Sequence, residues 1–280
     1  MKIFTTLTKL LLAATFLLMV SCQENNKERV TEMDLLFSSL QTDQAKWWRY
    51  HKTNIDLTAD FAAHAEDGNN LSKKAFFEAL LTGDYIAIEK DTPEDTEHYQ
   101  LFKLTEEADE DISYTIIADS YRQYKHFAME GTELPGFNFT DLDGKTWTKE
   151  ELKGKTLVVK TWFIRCKPCI EEMPQLNQSV EDYSDREDVV FLSLALDPED
   201  ELRKFLSEKE FTYAVVPSQK TFIEDSLGLS IYPTHILVAP SGKIRKVVNS
   251  APEMIAALKG LPLEVKKNGS APPPPPPPGS

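Results

Sequence analysis

Two cysteines, Cys166 and Cys169, stand with only Lys167 and Pro168 between them, and their type and spacing suit redox chemistry. They follow the apolar and β-branched run Thr156 to Phe163. They also open a segment in which Ile170, Met173, Leu176 and Val180 recur at helical spacing. The sulfurs are therefore expected one turn apart at a helix start. Cβ atoms at i and i+3 lie about 5–6 Å apart. Slight tightening reaches the roughly 3.5–4.5 Å of a disulfide, so the pair can open and close with little backbone movement. Free N–H groups and the positive end of the helix dipole favour an anion at that place. A thiol with an ordinary pKa of about 8.5 is expected to fall toward neutrality there. Cys166, nearest the free N–H groups, is the predicted nucleophile. Cys169 is the predicted resolving thiol, which expels a substrate from a mixed disulfide. Pro168 fits because first-turn N–H groups have no helical acceptor to lose.

The elements that must position this pair can be read on either side of it. Thr156 to Phe163 is nearly continuous in apolar or β-branched residues, as a central strand should be, and Val189 to Leu196 is a second buried strand. Strand, helix, strand at this spacing implies a parallel pair with a right-handed crossover. A helix over Glu199 to Glu208 follows, then strands at Phe211 to Val216, Thr234 to Ala239 and Ile244 to Val248, and a closing helix over Pro252 to Leu258. Upstream, Phe137 to Lys145 alternates and turns at Asp143-Gly144, a hairpin signal, and Gly131 to Gly136 marks a boundary. Pro174 lies beyond the first turn of the active-site helix and should kink it.

Residues 22–130 carry no recognisable motif. Val30 to Tyr50 reads as a helix, Ser72 as the cap of a helix over Lys73 to Leu81, and Tyr85 to Ile88 and Tyr99 to Leu104 as strands. A further helix over Asp111 to Met129 would place Ile112, Ile116, Tyr121, Tyr124 and Ala128 along one side. Trp47, Trp48 and Tyr50 are read as core, with a ligand-binding cluster as the alternative. His51, His64, His98 and His126 lack metal-site spacing and are read as surface or packed residues. The formal charge of −14 and pI near 4.9 argue against nucleic acid as a partner.

At the N-terminus, Lys2 and Lys9 precede an apolar run from Leu10 to Val20, the pattern of an export signal over residues 1–21. Met19-Val20-Ser21-Cys22 resembles the lipobox of bacterial lipoproteins, which implies lipidation at Cys22 and a membrane tether without a span. The alternative is an ordinary signal peptide with a chance cysteine. The tail, residues 266–280, is rich in proline and reads as an extended linker, cloning scar or native tail without assigned function.

From Pro135 to about Pro262 the chain resembles the TlpA/ResA-like thiol-disulfide oxidoreductases of bacterial envelopes. The features that carry the likeness are Pro135-x-Phe137, Asp141-Leu-Asp-Gly144, Gly154-Lys155, Trp162, Cys166-x-x-Cys169, Glu172-x-Pro174, and Tyr232-Pro233-Thr234 followed by Pro240-Ser-Gly242. The resemblance implies a thioredoxin-like α/β fold over 131–265, a mixed central sheet flanked by helices, preceded by a smaller, mostly helical domain over 22–130. It further implies a redox disulfide between Cys166 and Cys169 and a cis Tyr232-Pro233 bond presenting a docking edge for an extended peptide; a trans proline that merely starts a strand is the alternative. Glu172 matches the acidic residue that the family sets beside the thiols, where a raised pKa would let it move protons for Cys169; a solvated helix charge is the alternative. Two residues depart from the family pattern. Arg165 replaces a common Trp, and could lower the Cys166 pKa and favour acidic substrates or be only an exposed charge. Lys160 stands where thioredoxin has a buried acid. Trp162, Lys167, Pro168, Tyr232, Pro233 and Thr234 complete the expected substrate-binding and supporting set.

The expected activity is thus a membrane-tethered oxidoreductase that reduces disulfides of envelope proteins and is re-reduced by a membrane electron donor, with no metal and no cofactor beyond the dithiol. One rival is a peroxide reductase on the same fold, although Phe163 rather than Thr lies three residues before Cys166. Another is a copper site built from Cys166, Cys169 and His235. A third makes residues 23–130 the working module and the redox domain ancillary.

Overall fold

A computed structural model describes residues 32–93 and 96–260, and the chain divides into two units between Lys125 and His126. The export-signal segment, Cys22 and the proline-rich tail lie outside the described residues.

In the first unit, residues 32–41 are helical (α1) and a second helix, α2, runs over Gln44–Asn54. The single helix expected over Val30 to Tyr50 is therefore two. Asp43 ends the first by capping the second, its carboxylate accepting the Lys46 amide at 2.9 Å. Strands β1 (Phe61–His64) and β2 (Asn70–Leu71) follow, then α3 (Lys73–Leu80) behind its Ser72 cap, β3 (Tyr85–Glu89), β4 (Glu97–Lys103) and α4 (Glu110–Met129). The sheet order is β2-β1-β4-β3, with β1 and β4 parallel. Sequence alone misses β1 and β2, because Phe-Ala-Ala-His and Asn-Leu carry almost no β-branched content. Trp47 is fully buried, in line with the core reading. The side expected for α4 needs correction. Tyr121 is 56% exposed and Ala128 is also exposed, while the buried side runs through Ile112, Ile116, Asp119, Ser120 and His126. Polar residues turn inward here because Asp119 finds partners: buried His51 at 3.2 Å, and half-buried Arg122. His64 and His98 likewise pack against each other, Nε2 to Nδ1, at 3.0 Å.

The second unit opens with the hairpin β5 (Asn138–Thr140) and β6 (Thr146–Thr148), whose turn needs Gly144 at φ 80°. Strand β7 (Thr156–Trp162) is buried at every position. It leads to α5 (Lys167–Glu171) and α6 (Met173–Asp182), then β8 (Val189–Ala195), α7 (Glu199–Leu206) and β9 (Ala214–Val216). A single π-helical turn over Phe222–Ser226 precedes β10 (Thr234–Val238), β11 (Ile244–Val248) and α8 (Ala251–Lys259). The sheet order is β11-β10-β7-β8-β9. Strands β7, β8 and β9 run parallel, and β10 runs antiparallel to both of its neighbours. Phe211 to Tyr213, expected in a strand, lies before β9 as stacked rings with centroids 4.9 Å apart.

One face of this sheet carries an unbroken apolar cluster that includes Leu157, Val159, Leu192, Leu194, Ile236 and Val238. The opposite face carries two clusters. One gathers Val158, Leu176, Leu237 and Met254, and the other Trp162, Cys169, Met173, Ala195 and Val215. Lys160 lies on β7 between Val158 and Trp162, on the face of the divided core.

Candidate functional site

The Cys166–Cys169 turn departs from the C-terminal end of β7. Residues 163–165 are tied down on one side, where the Ile164 amide donates to Asp197 Oδ2 at 2.8 Å. The chain then enters α5 with Cys166 as its N-cap, and Cys166 Sγ accepts the Cys169 amide at 3.3 Å. This is the anion-favouring position expected from the sequence. The two sulfurs are joined as a disulfide, with Cα atoms 5.2 Å apart. Pro168 falls in the first turn of α5, where no amide hydrogen is needed. Both cysteines are buried, Cys166 at 5% exposure and Cys169 at 0%, whereas Arg165, Lys167 and Pro168 are exposed around them. Of the two residues, Cys166 is the slightly more exposed.

Trp162 is fully buried and packs on Phe205 and Phe211, with ring centroids 5.9 and 5.7 Å away. It packs in the same cluster as the two cysteines. Beside it, Tyr232-Pro233 is a cis peptide. Thr234 pairs with Thr161 on β7, which brings this loop to the strand end from which the cysteines depart. The pairing is reinforced by Thr161 Oγ1, which donates to the Thr234 carbonyl and accepts its amide, each at 3.2 Å. Thr234 Oγ1 donates to the Ile231 carbonyl at 2.7 Å. Tyr232 sits edge-on to Phe163, with centroids 5.5 Å apart, and both pack against the cluster that holds the cysteines.

Two residues of this region escaped the sequence reading. Asn249 donates from Nδ2 to the Pro233 carbonyl at 2.9 Å and to Thr234 Oγ1 at 3.0 Å, so it braces the cis-proline loop. No local signal marks it. The capping box after it, Ser250 to Glu253, is legible as S-x-x-E. Asp197 is the other, and its place just after a buried strand was its only clue.

Glu172 ends α5 and begins α6, so the expected kink is a break, and Pro174 lies harmlessly in the first turn of the second helix. Its carboxylate is fully engaged. Oε1 accepts from Lys160 Nζ and from His235 Nε2 at 2.9 Å, and Oε2 accepts the Ala251 amide at 3.0 Å. The expectation of a raised pKa is overturned. Burial pushes the Glu172 carboxyl up, but the His235 hydrogen bond and the Lys160 cation outweigh it and hold the group below the usual carboxylate value. Burial pushes Lys160 and His235 down, opposed in each case by Glu172. Because Nε2 faces a carboxylate, the neutral imidazole carries its hydrogen there. His235 Nε2 is hydrogen-bonded to Glu172, and among the described residues no three His, Cys, Asp or Glu are placed to hold a metal ion.

A disulfide whose first sulfur caps the helix after a central strand, with a cis-proline loop at the same strand end, is a thioredoxin-like arrangement. Residues 131–247 match the model of the AhpC/TSA family, and the segment is a thioredoxin-like domain. It is similar to the thiol-disulfide oxidoreductase ResA of Geobacillus thermodenitrificans, 27% identical over 49% of this chain and 78% of that protein. It is also similar to the ResA of Bacillus anthracis, 31% identical over 41% of this chain and 66% of that protein. Among solved structures it resembles the thioredoxin domain of a Bacteroides vulgatus thiol-disulfide oxidoreductase, with a TM-score of 0.42, 25% identity, and coverage of 46% of this chain and 95% of that one. In sequence the domain is similar to these thiol-disulfide oxidoreductases. Among the described residues no helix is long and apolar enough to cross a membrane.

Proposed function

We propose that this chain is a lipid-tethered thiol-disulfide oxidoreductase of the bacterial cell envelope that reduces disulfides in other envelope proteins. The observation that carries the reading is the Cys166–Cys169 disulfide at a helix start, with its first sulfur as the helix cap. In the reduced protein the Cys166 thiolate attacks one sulfur of a client disulfide. That bond breaks, and the departing client sulfur takes up a proton. Cys169, once deprotonated, attacks the Cys166 sulfur of the mixed disulfide. The Cys166–Cys169 bond closes, and the second client sulfur leaves with the other proton. Two electrons and two protons pass from the dithiol to the client, and a membrane electron donor restores them.

Exposed Arg165 and Lys167 flank the nucleophile in a chain whose net charge is −14, which supports a preference for acidic client segments. Tyr232, Pro233 and Thr234 supply the edge for an extended client peptide. Cys22 carries the lipid, residues 22–130 form a separate domain, and the redox domain spans 131–265.

Purified full-length protein should reduce insulin with a dithiol as electron source, and Cys166→Ser should not. Retained reduction by Cys166→Ser sinks the proposal, and peroxide consumption without insulin reduction replaces it with peroxide chemistry. A redox titration gives the direction: a potential near thioredoxin's, about −270 mV, means reductant, and one near DsbA's, about −120 mV, means oxidant. Incorporation of labelled palmitate by wild type but not by Cys22→Ala tests the tether.

A further inference from the structure

We infer that Lys160 and His235 are positioning residues of the exchange reaction, fixing the Glu172 carboxylate at the break of the active-site helix through hydrogen bonds from two central strands. The inference rests on the oxidoreductase reading above. In the sheet register His235 pairs with Lys160, and Lys160 pairs with Ser193, so three polar side chains form one row across β10, β7 and β8. The row interrupts an otherwise apolar face, between the cluster that holds the cysteines and the one beneath it. The side chains of Lys160 and His235 are 0% exposed and that of Glu172 is 11% exposed. One carboxylate thereby ties the α5–α6 break to β7 and β10, and through the Ala251 amide to the start of α8.

Stability alone is a poor reason for such a row. Desolvating two charges can cost more than their attraction returns, and well-packed apolar residues often serve as well. Its place gives it another role, because Glu172 lies three residues beyond Cys169 on the active-site helix, a spacing that brings Cβ atoms to about 5–6 Å. With Lys160 cationic, Glu172 anionic and His235 neutral, the row has no net charge. Loss of the ammonium leaves an uncompensated carboxylate one turn from a buried thiol that must ionise to resolve the mixed disulfide. The Cys169 thiolate is then disfavoured, and Glu172 itself takes up a proton at higher pH than before.

The test uses full-length reduced protein and a thionitrobenzoate mixed disulfide on Cys166, whose resolution by Cys169 releases a coloured thiolate. Lys160→Met should slow release by roughly ten- to a hundredfold and add an inflection to the pH–rate profile that wild type lacks. Lys160→Met in a Glu172→Gln background should add no further slowing and no inflection. His235→Gln, which keeps a donor, should stay near wild type, whereas His235→Leu should be slow. Equal slowing by Lys160→Met in both backgrounds with unchanged profiles overturns the inference, as does no slowing at all. Should Lys160→Met fail to fold, the same cycle run with His235→Leu decides. A carbon-13 titration of Glu172 needs no turnover: a carboxyl pKa unmoved by the partner substitution refutes positioning, whereas failure of wild type to reduce insulin refutes only the activity.

Discussion

Lys160→Met should expose the energetic cost of half an ion pair in the centre of a domain. The ammonium is fully buried and donates to a carboxylate that is 11% exposed. Removing one partner of such a pair typically costs about 3–5 kcal/mol, because the other charge stays buried and uncompensated. Glu172 keeps two of its three donors, His235 Nε2 and the Ala251 amide, which puts the expected loss at the lower end, about 3 kcal/mol. Adding Glu172→Gln removes the stranded charge and should recover at least half of that loss. The sign of the pH dependence follows from the pKa direction. In the wild type the folded-state pKa of Glu172 is depressed, first raised by burial and then overcome by its donors. Its stabilisation is complete above the ordinary carboxylate value and is lost as pH falls through the folded value. In the single variant burial is no longer outweighed by the cation. The deficit relative to wild type should therefore be largest near neutrality and shrink as falling pH protonates the carboxyl. Native-state amide exchange at β7 and β10 in the full chain measures these differences. A single-variant cost below about 1 kcal/mol at neutral pH, or a double variant no more stable than the single, would refute the reasoning.

Two further expectations concern other polar contacts. Asn249→Ala removes two hydrogen bonds from the Pro233–Thr234 loop, worth about 1–3 kcal/mol together, and should raise KM for a protein client more than it lowers kcat; an unchanged KM would mean that the loop needs no brace. In the first unit, burial raises the pKa of Asp119, but His51, with Lys52 and Arg122, outweighs it and leaves the pKa below its ordinary 3.8. Its stabilisation is present above that value and lost as pH falls through the folded pKa, so Asp119→Asn should weaken amide protection in α2 and α4 near neutrality and flatten its decline in acid; parallel declines in variant and wild type would contradict this.

Much of the second unit was legible because its signals are local. Apolar and β-branched runs marked β7, β8, β10 and β11, Asp143-Gly144 marked a hairpin, and Cys-Lys-Pro-Cys before a helical stripe marked the reactive turn. The first unit was less legible where polar residues face inward. The types of His51, His64 and His98 left surface and packed readings both open, Asp119 drew no reading, and nothing in the sequence says that these four are buried. Glu172 shows the same limit within the site. Its spacing from Cys169 was visible, but its partners come from residues 12, 63 and 79 positions away.

By itself the sequence marked the Cys166–Cys169 pair and the helix that presents it, since both lie within one short segment governed by backbone geometry. Only the tertiary structure decided the protonation state around them. Ionisation of a buried group depends on the charges and donors that distant strands bring within hydrogen-bond reach, and strand register sets those contacts.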